Sequence, residues 1–117
     1  STSGWSIEDG VQAGKQIVQL PIFPKGILAG NDQIAIGIMR ELYTKGFRAP
    51  EDYHIIGFDN IQMSKYYIPR LSSVSVPEKD LGTTAVHLIR EDILENKSRA
   101  ATTLLEVELI LRESTGN

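Results

Sequence analysis

Short apolar runs alternate with helix-length amphipathic segments along the chain, and this alternation constrains the fold more than any other feature. Residues 27–29 form one apolar run between two glycines, and residues 54–58 form a second. Between them lies a helical pattern from about Gln33 to Lys45, which stops at Gly46. Short apolar runs separated by helices are typical of parallel strands that are buried on both faces. The sequence therefore predicts an α/β fold with three αβα layers and a mostly parallel sheet.

The rest of the chain continues the same pattern. Ser6, with an acidic residue three positions later, is a typical helix N-cap, and the helix that follows ends at Pro21. Alternating apolar and polar residues predict a third strand at 72–76. An apolar stripe predicts a helix from Pro77 to about Lys97. Residues 102–112 are expected to form one long closing strand, or two strands joined by a bend.

Composition and charge narrow the classes of function. With 117 residues, the chain fits one domain or a large piece of one, here residues 1–117. Twelve Lys and Arg against fifteen Asp and Glu give a formal net charge of −3, whereas a DNA-binding surface needs clustered basic residues. There are no cysteines, so disulfides and thiolate metal sites are excluded. No motif in the sequence implies a cofactor. The lack of cysteines fits a cytoplasmic location. No apolar run approaches the roughly 20 residues that span a bilayer.

Motifs of the common enzyme classes are absent from the sequence. It contains no nucleophile elbow, no phosphate-binding glycine loop and no pair of histidines at metal-ligand spacing. His54 falls in a predicted strand and His87 on a predicted helix, far apart and without a patterned acidic partner. We therefore expect no catalytic or metal site and no enzymatic activity.

Polar residues follow two of the predicted strands at the point where each strand ends. In an open parallel sheet, ligands bind beyond the carboxyl ends of the strands. Asn31 follows the first strand and Asp59 the second, so parallel strands would bring both to one rim, where an amide and a carboxylate suit ligand hydroxyls. Spacing alone leaves ligand contact and structural roles equally open for both residues. Their neighbours Asp32 and Asn60 are expected to cap the elements that follow.

Trp5, the only tryptophan, immediately precedes the first predicted helix. An indole is a large flat surface against which the apolar face of a sugar can stack. A lone tryptophan also commonly packs in a core or a hinge, and position alone favours that alternative.

The helix from about Gln33 to Lys45 is apolar on more than one face. One apolar stripe is enough to cover a sheet, so a second stripe suggests burial against another subunit, although a well-covered helix in a larger domain carries the same pattern. A later aromatic segment either fills the core or meets a partner. The residues predicted for a homodimer interface are Ile36, Met39, Tyr43, Tyr66 and Tyr67.

Four segments, taken in chain order, match the signature of a known family. Residues 29–37 fit the pattern Ala-x-Asn-Asp-x-x-Ala-x-Gly, and residues 50–60 fit a Pro-x-Asp segment followed by a strand ending in Gly-Phe-Asp-Asp. Residues 69–74 fit Pro-x-Leu-Thr-Thr-Val, and residues 108–115 fit a closing strand and tail. Each motif alone is weak, but together they cover nearly the whole chain. Because the four motifs occur in the order found in that family, the sequence resembles the lactose-repressor/galactose-repressor family of bacterial transcription regulators.

The resemblance implies a periplasmic-binding-protein-like fold of two subdomains with a sugar or other small effector between them. It implies effector contacts for Trp5, Asn31 and Asp59, and it places the second predicted helix and the Tyr66-Tyr67 segment at a homodimer interface. The chain is then the C-terminal part of the effector-sensing domain of a regulator, usually a repressor. DNA would be bound only through an N-terminal helix-turn-helix, which is absent here together with the N-terminal subdomain.

Two departures from the family pattern and two alternatives follow. Val76 stands where many members carry Gln, and Asn60 replaces the commoner second Asp. The C-terminal part of a periplasmic sugar receptor of a transporter shares the fold, and a dimerisation module with a degenerate effector site is a third possibility. The opening Ser1-Thr2-Ser3-Gly4 resembles a cut point, so a leader upstream is compatible with the sequence.

Overall fold

The computed structural model describes residues 5–75 and 107–117. The helices and strands, in chain order, are α1 (Ile7–Ile17), β1 (Gly26–Leu28), α2 (Asp32–Thr44), β2 (His54–Phe58), β3 (Ser72–Ser75) and β4 (Glu108–Ile110). Two short 3-10 helices cover Gln62–Lys65 and Glu113–Thr115. The helix predicted from Pro77, the first part of the predicted closing strand and Val76 lie outside the described residues.

The four described strands form one sheet in the order β1-β2-β3-β4. Strands β1, β2 and β3 run parallel, with Ile27 opposite Ile55 and Ile56 opposite Ser72, whereas β4 runs antiparallel to β3. The predicted α/β class with a mostly parallel sheet is therefore confirmed. Because β1 and β2 are parallel, the residues that follow Leu28 and Phe58 emerge at the same edge of the sheet.

Strand β1 is more exposed than the sequence predicts. The apolar run was expected to form a buried strand at 27–29, but the strand covers Gly26–Leu28 and Leu28 is 60% exposed. The reason is the place of β1 in the described sheet, where it lies at the edge and pairs with β2 alone. Ala29, just beyond the strand, is the residue of this run that is buried.

Helices α1 and α2 pack at very short range through two glycines. A Cβ atom added at Gly37 would overlap the carbonyl oxygen of Ile7, and one added at Gly10 would overlap that of Ile34. Glycine is therefore required at both positions for the two helix backbones to approach each other. Helix α2 also packs against β2, so this chain alone covers it on two sides.

The packing of α2 corrects one prediction. Ile36 and Met39, expected at a subunit interface, are each 3% exposed and belong to the chain's own hydrophobic core. The second apolar stripe is therefore explained by burial within this chain, and it gives no argument for a second subunit. Tyr43 and Tyr66 are exposed, and Tyr67 is half-buried, so a role for these three in dimerisation stays a prediction. No helix in residues 5–75 or 107–117 is long and apolar enough to cross a membrane.

Candidate functional site

A pocket lies beyond the carboxyl ends of β1 and β2. Its volume is about 330 Å³, and its lining consists of Trp5, Ser6, Asn31, Asp32, Gln33, Asp59 and Ile61. The structure thus brings together all three residues predicted to contact an effector. Their role as ligand contacts stays a prediction, while their common location is now a structural fact.

Asn31 is the N-cap of α2. Its side-chain oxygen accepts a hydrogen bond of 2.8 Å from the backbone N–H of Ile34, and its side-chain nitrogen donates one of 3.0 Å to the carbonyl oxygen of Trp5. The amide group retains a second N–H and a second lone pair for a ligand. The cap expected at Asp32 is therefore one residue earlier, and Asp32 is the first residue of the helix.

Contacts of its ring and its backbone, and the helix cap at the next residue, fix the position of Trp5. Its ring packs over Gly30, where an added Cβ would lie 2.5 Å from the indole, and its carbonyl oxygen is bound by Asn31. The next residue, Ser6, caps α1 in a reciprocal pair with Asp9: the Asp9 N–H donates to the Ser6 hydroxyl oxygen, and the Ser6 N–H donates to the Asp9 carboxylate. Packing and a presented aromatic face are thus compatible at this half-buried residue.

Asp32 forms a buried hydrogen-bond hub beneath the pocket. One carboxylate oxygen accepts from the backbone N–H of Ile61 at 2.8 Å and from the Ser64 hydroxyl at 2.5 Å. The other accepts from the Ser73 hydroxyl at 2.7 Å. These bonds join helix α2, strand β3 and the segment that follows β2. Asp32 therefore holds the pocket together and is not a helix cap.

The environment of Asp32 shifts its titration. Burial raises the pKa of Asp32 above its usual range, the hydrogen bonds from its three donors oppose that rise, and the negative charge of Asp59 adds to it. The carboxylate fits its site because Gly57 of β2 has no side chain, and a Cβ there would overlap it.

Asp59 and Asn60 form an unusual turn at the rim of the pocket. Both adopt positive φ angles, 99° and 55°, which non-glycine residues rarely do. Asp59 is exposed, and its N–H donates to the carbonyl of Val74 at 2.9 Å. The Asn60 side-chain oxygen accepts from the guanidinium of Arg112 at 2.8 Å. The short helix after this turn has Ile61 at its N-cap and no side-chain capping bond, so the cap predicted at Asn60 is wrong.

Sequence reasoning did not predict four of the lining residues as site residues: Ser6, Asp32, Gln33 and Ile61. Each is adjacent or nearly adjacent in sequence to a predicted contact, and that proximity was the available signal. The complete lining combines an aromatic plane, a hydroxyl, two amides, two carboxylates and an apolar side chain. Such a set suits a small molecule with hydroxyl groups and an apolar face. In the part of the chain that the structure describes, no three His, Asp or Glu residues are grouped as a metal site would require.

A second concavity, here called the aromatic groove, lies on another face. Its volume is about 760 Å³, and its lining includes Tyr43, Phe47, Tyr53, Tyr66, Tyr67 and Ile68. Phe23 stacks on Phe47 with ring centroids 4.1 Å apart, which supports the inner wall. Tyr66 and Ile68 are 74% and 90% exposed. Of the two alternatives for the Tyr66-Tyr67 segment, core filling is excluded for Tyr66.

Comparison with known proteins defines the family. Residues 1–115 match the family model described as a periplasmic binding protein-like domain. The chain therefore belongs to this family. Among curated proteins, it is 38% identical over 112 residues to the NTD biosynthesis operon regulator NtdR of Bacillus subtilis, covering 95% of this chain and 34% of that protein. It is 34% identical over 110 residues to the probable HTH-type transcriptional repressor ExuR of the same organism, covering 94% and 33%.

Solved structures agree with this assignment. The chain matches a lac repressor dimer bound to operator and an anti-inducer with a TM-score of 0.71 and 31% identity, covering 95% of this chain and 33% of that one. It matches a LacI family transcriptional regulator of Enterococcus faecium, solved with bound ribose, with a TM-score of 0.68 and 33% identity, covering 95% and 41%. The resemblance to the lactose-repressor/galactose-repressor family is thus confirmed. The chain spans about a third of the length of the curated relatives it matches.

Proposed function

We propose that this chain is the effector-sensing and dimerisation part of a bacterial transcription regulator, usually a repressor, and that its pocket binds a small polyhydroxylated effector, most simply a sugar. The observation that carries the proposal is the meeting of Trp5, Asn31 and Asp59 in one pocket, although they come from three separate segments of the chain. The whole regulator would bind DNA through a separate helix-turn-helix.

Each of the three residues has a distinct part in sugar binding. The Trp5 indole offers a flat surface for the apolar face of a sugar ring. The Asp59 carboxylate is a charged acceptor for ligand hydroxyls, and such charge-assisted bonds are the stronger ones. Asn31 offers its remaining N–H and lone pair while it caps α2.

Ligands in the relatives' structures support a sugar. One neighbour of 33% identity was solved with bound ribose, and another, from Arthrobacter, was solved in complex with lactose at 31% identity and a TM-score of 0.69. The curated relatives are transcriptional regulators, which favours a non-enzymatic, cytoplasmic regulator over the periplasmic receptor alternative.

The aromatic groove supports a homodimer. Tyr43, Tyr66 and Tyr67 line it, and the exposed Ile68 extends its apolar surface. Exposed aromatic and aliphatic side chains around a concavity are typical of protein interfaces. A matched lac repressor structure is a dimer, which is consistent with this arrangement.

Calorimetric titration of the whole regulator tests the effector site. D-ribose and lactose serve as probes, and the Asp59→Ala variant should bind the responding sugar on the order of a hundredfold more weakly, because two charge-assisted hydrogen bonds are lost. Asp52→Ala is the matched control, since Asp52 is an exposed aspartate that precedes the amino end of β2, whereas Asp59 follows its carboxyl end. Equal affinity of folded wild type and Asp59→Ala would contradict the proposed role of Asp59.

A further inference from the structure

We propose that Arg112 is a positioning residue that holds the Asp59 carboxylate at the rim of the pocket by acting through Asn60. The inference rests on the proposed function, since it names a residue outside the pocket on which the effector site depends. Arg112 is not among the residues that line the pocket, and it belongs to the tail that follows β4.

The turn that carries Asp59 needs external support. Asp59 and Asn60 have φ angles of 99° and 55°, and two consecutive non-glycine residues in this region are unfavourable unless surrounding contacts enforce the conformation. A change of backbone conformation at either residue would redirect the Asp59 side chain. The contacts that hold the turn therefore help to orient the carboxylate.

Three consecutive N–H groups hold the backbone of this turn. The N–H of Asp59 donates to the Val74 carbonyl and that of Asn60 donates to the Ser73 hydroxyl, each at 2.9 Å. The N–H of Ile61 donates to the Asp32 carboxylate at 2.8 Å. These three bonds attach the turn to β3 and α2, and they leave the Asn60 side chain to be held separately.

Arg112 holds that side chain with a forked donor. One guanidinium nitrogen donates to the Leu71 carbonyl at 2.6 Å, and the other donates to the Asn60 side-chain oxygen at 2.8 Å. The backbone N–H of Arg112 also donates to the Ser72 hydroxyl at 2.6 Å. The guanidinium is thus anchored on the sheet and reaches the turn as a rigid, charged bridge.

The tail has other anchors, so loss of the Arg112 side chain should not release it. The Ser114 hydroxyl donates to the Ile55 carbonyl at 2.6 Å, and the Thr115 hydroxyl lies 2.7 Å from that of Ser72. These contacts join the tail to the sheet without involving Asn60. Removing the guanidinium therefore perturbs the turn more than the docking of the tail.

Hydrogen–deuterium exchange on the ligand-free whole regulator gives the first test. In Arg112→Met, the N–H groups of residues 59–61 should exchange about tenfold faster, while those of α2 stay within about twofold of wild type. Arg70→Met is the matched control, because it removes the exposed 3.3 Å ion pair with Glu113 in the same region and should leave exchange at 59–61 unchanged. Unchanged exchange at 59–61 in Arg112→Met, or an equal increase throughout the protein, would overturn the proposal.

Sugar binding gives the second test, with D-ribose and lactose as probes. Arg112→Met should lower the affinity for the responding sugar about tenfold, whereas Arg70→Met should leave that affinity unchanged. Asn60→Gly keeps the left-handed conformation accessible but removes the side-chain acceptor, so it should lower the affinity as Arg112→Met does. The double variant should bind the sugar no more weakly than either single variant, since both substitutions remove the same hydrogen bond.

An undiminished affinity in Arg112→Met overturns the positioning role. If wild type binds neither sugar, the proposed ligand class fails and the exchange result alone decides the role of Arg112. If Arg112→Met does not fold, Asn60→Gly carries both tests.

Discussion

The side-chain amide of Asn31 donates a hydrogen bond of 3.0 Å to the carbonyl oxygen of Trp5. The same side chain accepts a bond from the N–H of Ile34 and so caps α2. Two residues that the family resemblance predicts as ligand contacts are therefore linked directly, and one of them also caps a helix. Formation of the α2 N-terminus and placement of the indole in the pocket are coupled through a single amide group.

Substitutions at Asn31 should separate these two roles. Asn31→Ala removes both bonds and should lower the free energy of unfolding by about 1–2 kcal/mol, the usual effect of losing a cap. Asn31→Ser keeps a capping oxygen but is too short to reach Trp5, so stability should be largely retained while the Trp5 fluorescence changes. Urea unfolding and emission spectra of the whole regulator measure both effects. Equal destabilisation in the two variants would mean that the Trp5 bond, and not the cap, is the stabilising contact.

Asp32 should make stability depend on pH in a defined direction. Burial raises its pKa above the usual value of 3.8, so the folded state holds its proton more tightly than the unfolded state does. The contribution of Asp32 to the free energy of unfolding is therefore fully present below pH 3.8, and it is lost as the pH rises through the folded-state pKa. Urea unfolding at successive pH values should show a decrease in stability across that window, which Asp32→Asn abolishes. Parallel pH profiles for wild type and variant would refute this.

Asp9 provides a control of opposite sign. Hydrogen bonds from the Ser6 side chain and backbone lower the pKa of Asp9 below 3.8. Its contribution is therefore present above the unfolded-state pKa and is lost as the pH falls through the folded-state value. In Asp9→Asn, the loss of stability that wild type shows as the pH falls should be absent. The loss of stability that Asp32 causes as the pH rises should remain.

The crossing of α1 and α2 should not tolerate a methyl group. Gly37→Ala places a Cβ against the Ile7 carbonyl and the Gly10 Cα, which should cost about 1–3 kcal/mol of unfolding free energy through overpacking. Gly26→Ala is the matched control, because a Cβ at Gly26 meets nothing within 4 Å. Thermal unfolding compares the two, and a Gly37→Ala variant as stable as Gly26→Ala would show that the helices can move apart without loss.

Dimerisation should respond to a charge in the aromatic groove. Ile68→Lys puts an ammonium group into apolar surface that we propose is buried on association, and it should weaken the dimer by about 2 kcal/mol or more. Ile22→Lys is the control, since Ile22 is 84% exposed and does not line the groove. Sedimentation velocity of the whole regulator distinguishes them. Identical association of both variants with wild type would rule out this face. Ile36 is unsuitable for the test, because a lysine there would disrupt the core.

Some features of this protein follow from the sequence by itself. The alternation of apolar runs with the helical segment before Gly46 determines the α/β class, because the side-chain periods of strands and helices differ. The polar residues after residues 27–29 and 54–58 predict the pocket, because parallel strands end at one edge. Asn31 and Asp59 were therefore accessible to local reasoning.

Other features were decided only by the tertiary structure. Asp32 resembles a cap in sequence, but its three donors come from residues 61, 64 and 73, so its role depends on contacts that spacing does not encode. Ile36 belongs to a stripe that is apolar in either environment, and only the packing of the folded chain buries it in the core. The Arg112 bridge joins a tail to a turn more than fifty residues away. Sequence patterns indicate which face of a helix or strand is apolar. Which residues bury that face is decided only by how the whole chain packs.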